Sequence, residues 1–260
     1  SYKGITGHYD ILVFATGSAA FIPPIPGIDK QGVFIYRTIE DLEMMESFAQ
    51  HVSRATVIGG GLLGLEAAKA LLDLGVRDTQ VIEYASRLMP KQIDSAGSGI
   101  LSAKLTDLGI CVYTSTGTTA VLGNERISGL QFDNGEKLET DMLVISAGIR
   151  PRDELAGVCG LKTGIRGGIV INDLLQTSDP SIYAIGECAL HRDMIYGLVA
   201  PGYEMAEVLV SNLCGAPGAA QKFFTGFDMS TKLKLVGTDV ASFGDPFISG
   251  NGIHSLILND

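Results

Sequence analysis

The sequence predicts an α/β fold in which a parallel sheet is flanked by helices and accompanied by a short antiparallel meander. Three observations predict this fold. Apolar strand segments alternate with helical segments, a glycine-rich turn joins one strand to a helix, and hydrophobicity alternates with period two over 117–140. The chain has 260 residues, 46% of them apolar and 18% charged, which is typical of a globular protein with one large domain or two ordinary ones.

The first predicted elements lie on either side of a proline-rich loop. The segment HYDILVFATGS (8–18) is an apolar strand that ends in small residues, and the three prolines of the following FIPPIPGID exclude regular structure there. GVFIYRT predicts another short strand. Thr38 then stands where it can cap a helix that begins IEDLEMMESF, with Asp41 as its capping partner.

The next elements follow the order strand, helix, strand, helix, strand, which indicates a parallel sheet. A strand at 55–58 leads through the glycine turn into a helix over about 62–74, which Gly75 ends. TQVIEYA is the second strand. A helix over about 95–108 ends before Gly109, and ICVYTS is the third strand.

The antiparallel meander occupies 117–140, and its Asn-Gly pair at 134–135 predicts a tight hairpin because both turn positions favour positive φ. A buried strand at 141–148 follows. GGIVINDLLQTSDPSIYAIGECA predicts two short strands around a polar turn, and a helix with a proline near its start occupies 201–215. STKLKLVGTDVASFGD begins a new strand element.

Composition and spacing argue against several classes of function. The net charge of −10 and the pI of about 4.8 disfavour a nucleic-acid partner, because such a surface repels phosphates. The most apolar long window, 55–76, carries three charged residues, so we expect no membrane span. The four cysteines are far apart without a CxxC pair, and we expect buried thiols in a reducing, cytoplasmic compartment with no signal peptide. The four histidines have no metal or triad spacing, so we expect no metal site.

The glycine turn carries the strongest functional signal. Its G-x-G-x-x-G pattern lies between a strand and a helix, as in a Rossmann-like dinucleotide-binding unit. The first glycine permits the tight turn, the second lets a pyrophosphate approach, the third brings helix and strand together, and the helix N terminus attracts the phosphates. A glycine turn used only for packing is the alternative. The predicted contacts are Gly59, Gly60, Gly61, Leu62, Leu63 and Gly64.

Two side chains beyond the turn bear on the choice of nucleotide. Glu83 ends the second strand, where an acid hydrogen-bonds the hydroxyls of the adenosine ribose. Because a carboxylate repels a 2′-phosphate, we expect NAD(H) or NADP(H) to bind with NADH preferred. Arg87 is close enough in sequence to weaken that preference.

Two further strand ends, FATGS (14–18) and IYAIGECA (182–189), lie on either side of this nucleotide-binding domain. Together they resemble the FAD-dependent pyridine nucleotide-disulfide oxidoreductase superfamily. The resemblance implies a Rossmann-like NAD-binding domain inserted in an FAD-binding domain. The superfamily's upstream FAD fingerprint is absent, so we expect a truncated FAD domain with an incomplete site. The implied flavin contacts are Ala15, Thr16, Gly17, Gly186 and Glu187.

The same resemblance implies roles for three more residues. Glu66, near the first turn of the helix after the glycine motif, is directed toward the nicotinamide and flavin as the candidate catalytic residue. Gly148 lets the nicotinamide pass close to the backbone, and Arg37 contacts the flavin domain. The alternatives are an acid that merely favours a helix N terminus, a plain turn glycine and an exposed cation.

The segments YRTIEDLE, SRLMPKQID, GECALHRDMIYGLVAPGYEMAEVL and FTGFDMSTKLKLVGTDVASFGD resemble the large subunits of assimilatory NAD(P)H-nitrite reductases. This resemblance implies the part that passes hydride from NADH to FAD for onward reduction of nitrite to ammonia. Sirohaem and a [4Fe–4S] cluster are implied only in a full-length parent, whose remaining domains would be partners. Both chain ends interrupt sequence patterns, so we expect a fragment, and an exposed sheet edge would permit a homodimer.

The predicted segments are 1–44 and 149–222 for the partial FAD domain, 45–148 for the NAD(H)-binding domain, and 223–260 for the start of a C-terminal interface domain. Two other functions remain open. One is an NADH-dependent rubredoxin or ferredoxin reductase, against which the STKLKLVGTDVASFGD segment argues. The other is a nucleotide-binding module without catalysis, which the incomplete FAD site would favour.

Overall fold

The computed structural model describes residues 7–216, 218–235, 238–244 and 247. Among these residues, no helix combines the length and the apolar character needed to cross a bilayer.

Helices and strands are numbered here in chain order. The helices are α1 (Ile39–Ala49), α2 (Leu62–Asp73), α3 (Ser95–Asp107), α4 (Glu154–Val158) and α5 (Val199–Cys214), and Gly186–Cys188 forms a short 3₁₀ turn. The strands are β1 (Leu12–Phe14), β2 (Ser18–Ala20), β3 (Val33–Ile35), β4 (Arg54–Ile58), β5 (Asp78–Ile82), β6 (Ile110–Tyr113), β7 (Thr118–Leu122), β8 (Gly129–Phe132), β9 (Lys137–Glu139), β10 (Met142–Ile145), β11 (Ile149–Pro151), β12 (Ile169–Ile171), β13 (Ile182–Ala184), β14 (Ala189–His191), β15 (Thr231–Leu235) and β16 (Thr238–Ser242).

The described residues form two compact units. Unit 1 comprises those within 1–19 and 149–228, and unit 2 those within 20–148 and 229–260. The unit boundaries differ from the predicted segments, because the described residues within 20–44 and 229–260 group with the segment predicted to bind the nucleotide. Which cofactor each segment serves stays a prediction.

Unit 2 is built on a five-stranded sheet in the order β3-β10-β4-β5-β6, and all four pairings are parallel. Val57, Val81 and Val144 on its central strands are fully buried, and Leu65 and Leu71 of α2 belong to the same core. Because both faces of a parallel sheet are covered, its strands read as nearly continuous apolar runs. The predicted α/β class and parallel sheet are confirmed.

The start of α1 shows why the local sequence fixes an element boundary. The Thr38 hydroxyl accepts a hydrogen bond from the Asp41 N–H at 3.2 Å, and the Asp41 carboxylate accepts one from the Thr38 N–H at 2.9 Å. This is the predicted capping box, and it satisfies two backbone donors that a helix start leaves unpaired.

The antiparallel meander β7-β8-β9 is confirmed, but the predicted turn geometry within it is wrong. Only the glycine of the Asn-Gly pair has positive φ, at 84° for Gly135. The Gly135 N–H donates to the Phe132 carbonyl at 3.1 Å, and the Phe132 N–H donates to the Glu136 carbonyl at 2.9 Å. The loop therefore has three residues, for which one left-handed glycine after an ordinary turn is sufficient.

Unit 1 is assembled from short strand pairs. β1 and β13 are parallel although their residues are far apart in sequence, β12 pairs with β14, and β2 pairs with β11. α5 buries Pro201, Met205, Val208 and Leu209. The four short elements β2, β11, α4 and β14, each of three to five residues, were not predicted.

The expectation of buried thiols is wrong for three of the four cysteines. Cys188 is buried, whereas Cys111, Cys159 and Cys214 are exposed. Cys111 lies on the outermost strand of the unit 2 sheet and Cys214 ends α5, so both stand at element edges, where solvent reaches the side chain.

Candidate functional site

The glycine turn lies between β4 and α2, at the carboxyl edge of the unit 2 sheet. Gly59 has a φ of 116°, and a Cβ there would come within 2.2 Å of the Ser146 carbonyl oxygen. A Cβ on Gly64 would come within 1.9 Å of the Gly59 carbonyl oxygen. Both glycines are therefore required by the close packing of the chain against itself.

Gly61 differs from these two glycines. Its backbone is extended, with φ at −84° and ψ at −175°, and no atom lies within 4 Å of the position a Cβ would take. No side chain caps the N terminus of α2, where Gly61 is the N-cap residue. Open space at the Cβ position of Gly61 and an uncapped helix N terminus together fit an anion such as a pyrophosphate.

Glu83 follows β5 and is fixed by the backbone. One carboxylate oxygen accepts a hydrogen bond from the Gly60 N–H and the other from the Ala85 N–H, both at 2.7 Å. The side chain is half-buried. The carboxylate is therefore held beside the glycine turn before any ligand binds, as an acceptor for hydroxyl groups.

Arg87 is turned toward its own loop. Its guanidinium donates to the carbonyl oxygens of Ile93 at 3.3 Å and Pro90 at 3.2 Å, and its Cζ lies 5.4 Å from the centre of the Phe247 ring. In this arrangement the side chain is engaged within the protein, and its contact with a nucleotide stays a prediction.

Glu66 and Gly148 are two further predicted residues of unit 2. Glu66 is half-buried on α2, and the pKa of Tyr36, which follows β3, is raised by burial and then by the negative charge of Glu66. Gly148 has a φ of 106°, no atom near its Cβ position, and a carbonyl that accepts from the Phe21 N–H at 2.9 Å. These residues and the glycine turn form what we call the unit 2 cluster: Gly59–Gly64, Glu66, Glu83, Arg87 and Gly148.

A second cluster lies at the edge of the β1-β13 pair in unit 1. Because these strands are parallel, the residues that follow them meet at one edge, and the Ser18 hydroxyl donates to the Glu187 carboxylate at 2.7 Å. The Thr16 hydroxyl donates to the Arg152 carbonyl at 2.6 Å. We call this group the unit 1 cluster: Ala15, Thr16, Gly17, Ser18, Gly186 and Glu187.

Both glycines of the unit 1 cluster have left-handed backbones, with φ of 65° at Gly17 and 74° at Gly186, and neither has an atom within 4 Å of its Cβ position. The structure thus brings together all five residues predicted to contact flavin from these strand ends, and adds Ser18. Arg37, the other residue predicted to contact flavin, belongs to unit 2, where it is exposed and its backbone N–H donates to the Asp41 carboxylate at 3.2 Å. Its contact with flavin stays a prediction.

One charged group in unit 1 was not predicted. Asp173 accepts from His191 Nε2 at 2.9 Å and from the Arg192 guanidinium at 2.6 Å, and these two hydrogen bonds, the Arg192 bond first, lower the pKa of Asp173. It borders a shallow groove of about 600 Å³ next to Phe223. No sequence spacing marks the pair, because Asp173 follows β12 whereas His191 is the last residue of β14. The described part of the chain contains no group of three or more side chains able to hold a metal ion.

The chain is similar in sequence to a known protein family and to individual proteins of known name. The sequence profile described as pyridine nucleotide-disulphide oxidoreductase matches residues 2–208. The large subunit of nitrite reductase [NAD(P)H] from Klebsiella oxytoca is 53% identical over 92% of this chain and 24% of its own length. The nitrite reductase (NADH) large subunit from Escherichia coli is 50% identical over the whole chain and 30% of its own length.

A solved structure agrees with these sequences. The crystal structure of an FAD-dependent pyridine nucleotide-disulphide oxidoreductase from Desulfovibrio vulgaris is 30% identical, with a TM-score of 0.78, over 91% of this chain and 61% of that one. This chain spans about a quarter to a third of the length of the two nitrite reductase subunits.

Proposed function

This chain belongs to the pyridine nucleotide-disulphide oxidoreductase family, and we propose that it is the electron-input part of an NAD(P)H-linked flavoprotein. We further propose that the parent is a nitrite reductase large subunit, because two such subunits share half or more of their aligned residues with it. The remaining domains of that parent would supply sirohaem and the [4Fe–4S] cluster and reduce nitrite to ammonia.

The single observation that supports nucleotide binding most strongly is the space over Gly61. The protein's own packing does not explain this glycine, since a Cβ would meet no atom within 4 Å and φ is ordinary. A pyrophosphate lying over the uncapped start of α2 would explain it. Glu83, fixed by two backbone N–H groups, would accept hydrogen bonds from the adenosine ribose and favour NADH over NADPH.

The unit 1 cluster fits one side of a flavin site. Gly17 and Gly186 turn the backbone without filling the space beside it, and the Glu187 carboxylate is oriented by the Ser18 hydroxyl. We propose that Thr16, Gly17, Gly186 and Glu187 hold part of FAD. When bound, FAD accepts a hydride from the nicotinamide and releases electrons singly to one-electron carriers.

The chain's own residues would contribute by alignment and by local charge. Gly148 keeps the backbone at the end of β10 clear of side-chain atoms, so a flat ring can approach it. Glu66 is half-buried in the same unit, and it is the second cause, after burial, of the raised pKa of Tyr36. We propose that Glu66 orients the nicotinamide, because alignment of the reacting groups is what such proteins add to cofactor chemistry.

Gly61→Ala tests nucleotide binding without disturbing the fold. NADH binding to the purified chain is measured by calorimetric titration, and the variant should weaken it at least about tenfold because the methyl group occupies the pyrophosphate space. Gly99→Ala is the matched control, since Gly99 also has no atom near its Cβ position but lies on α3. Native-like NADH affinity in Gly61→Ala would remove the main support for the proposal.

The flavin part is tested separately by adding FAD to the purified chain and recording its absorbance and fluorescence with and without NADH. Bleaching of bound flavin by NADH supports the electron-input function. NADH binding without retained flavin would leave a nucleotide-binding module as the function of this chain alone. Reduction of rubredoxin but not of the parent's downstream centres would instead favour the rubredoxin reductase alternative.

A further inference from the structure

The C-terminal hairpin β15-β16 packs on the nucleotide-binding core of unit 2. Leu233 of β15 is fully buried among the core residues, and Val240 of β16 packs against them. β15 contacts α2, the helix that begins at the glycine turn, and β16 contacts α3. The hairpin is therefore part of the same compact unit as the candidate nucleotide site.

We call the described residues within 231–247 the hairpin segment. Two of its side chains contact the loop at 86–94, which lies shortly after Glu83. The Ser242 hydroxyl donates to the Gln92 carbonyl at 2.6 Å. The Phe247 ring lies 5.4 Å from the Cζ of Arg87, within the range of a cation–π contact. Next to Gln92 is Ile93, whose carbonyl accepts the Arg87 Nε hydrogen bond.

The loop in turn contacts the glycine turn. The Met89 N–H donates to the Gly60 carbonyl at 2.9 Å, and Met89 is fully enclosed, with a φ of 47°. The Gly60 N–H is the group bound by Glu83. A continuous set of contacts thus runs from the hairpin through the loop to Glu83 and Arg87, the two residues predicted to bear on the choice of nucleotide.

These contacts bear on nucleotide choice through the position of the Arg87 side chain. An arginine near the acid at this strand end can accommodate a 2′-phosphate and so admit NADPH. Here both hydrogen-bond acceptors of the guanidinium are neutral carbonyls of its own loop, which a phosphate would outcompete electrostatically if the side chain were free to turn. The Phe247 ring contacts the guanidinium directly. The bond from Ser242 acts indirectly, because it holds Gln92, the neighbour of the Ile93 carbonyl that accepts from Arg87.

We propose that the hairpin segment, through Ser242 and Phe247, withholds Arg87 from the nucleotide and thereby makes the site selective for NADH over NADPH. The proposal rests on the proposed nucleotide binding and adds a selectivity element from outside the glycine motif. Ser242 and Phe247 are assigned as positioning residues, because their observed contacts are with Gln92 and Arg87 and they would act on the nucleotide only through Arg87.

The experiment measures the ratio of NADPH to NADH dissociation constants by calorimetry for the native chain and for variants. Phe247→Ala should lower this ratio about threefold, and Ser242→Ala with Phe247→Ala about tenfold, because NADPH binding improves while NADH binding stays nearly constant. Phe247→Tyr should keep the native ratio and Phe247→Leu should not, because leucine packs without an aromatic face.

Phe243→Ala is the matched control, because Phe243 lies beside Ser242 and is 80% exposed. In the Arg87→Met background, Phe247→Ala should leave the ratio unchanged. If the Ser242→Ala, Phe247→Ala double variant still binds NADH and its ratio of dissociation constants stays within a factor of two of native, this proposal is overturned. Failure of the native chain to bind either nucleotide would instead overturn the proposed function.

Discussion

At the sheet edge of unit 2, Gly59 and Gly64 are pressed against backbone atoms, whereas at the edge of unit 1, Gly17 and Gly186 face open space. The unit 2 pair tolerates no Cβ at any φ, since the nearest backbone oxygens would lie 2.2 and 1.9 Å away. The unit 1 pair is constrained only by left-handed φ. Gly61 of unit 2 has neither constraint.

The difference shows that a glycine in a recognisable motif can be required for any of three separate reasons. Packing, backbone conformation and ligand space each require the absence of a side chain, but each has a different cost when a methyl group is added. Only a glycine required for ligand space is evidence for a ligand. For this reason Gly61 supports a bound nucleotide more directly than Gly59 or Gly64, although all three define the motif.

Gly64→Ala should give the largest effect of the substitutions considered. The added methyl meets the Gly59 carbonyl, which belongs to a tight turn that cannot retreat, so we expect a loss of about 3 kcal/mol or more in the free energy of unfolding. Urea denaturation followed by circular dichroism measures it. A native-like midpoint would show that helix and strand can separate here at little cost.

Gly17→Ala should cost less, about 1–2 kcal/mol, because the methyl group meets no atom and only the left-handed φ of 65° is unfavourable. Gly17→Asn should cost less still, since asparagine adopts this conformation more readily. The same denaturation experiment compares the three proteins. A loss equal to that of Gly64→Ala would mean that unit 1 is packed as tightly as unit 2 at this edge.

Acid should weaken the two units unequally through their ion pairs. The Asp141 carboxylate is hydrogen-bonded to the Arg54 guanidinium at 2.9 Å, which lowers its pKa below 3.8, and its side chain is 28% exposed. A lowered pKa stabilises the fold above the unfolded pKa, and this contribution disappears as pH falls through the folded pKa. Asp141→Asn should therefore cost about 1 kcal/mol at pH 7 and little at pH 2.

The comparison within that experiment is Asp173→Asn in unit 1, where Asp173 is 39% exposed and also has a lowered pKa. We expect the same sign and a smaller pH-dependent loss, because solvent screens this pair more. Denaturation midpoints at pH 7 and pH 2 for both variants measure it. A larger loss in Asp173→Asn would show that the buried His191 partner dominates.

Gly61→Ala should have the smallest effect on stability, within about 0.5 kcal/mol, because neither packing nor φ opposes the methyl group. Its effect on NADH binding should nevertheless be the largest of the glycine variants that fold. This contrast between stability and binding sharpens the distinction between the three reasons for a glycine. A substantial loss of stability would indicate that Gly61 also serves the fold.

The order of helices and strands in unit 2, the Thr38–Asp41 cap and the glycine turn were all predictable from the sequence. Each depends on residues only a few positions apart, whose periodicity, capping groups or φ preferences act locally. The meander was predictable for the same reason. Its hairpin geometry was not, because a two-residue and a three-residue loop share the same Asn-Gly pair.

The tertiary structure alone decided which distant residues meet. It placed Glu187 beside Ser18 by pairing β1 with β13, and Asp173 against His191, and it placed the Arg87 guanidinium against the Phe247 ring. It also left three cysteines exposed. Such contacts depend on how separate elements pack, and a hydrogen-bond donor takes the acceptor that folding brings within about 3 Å, whatever their separation along the chain.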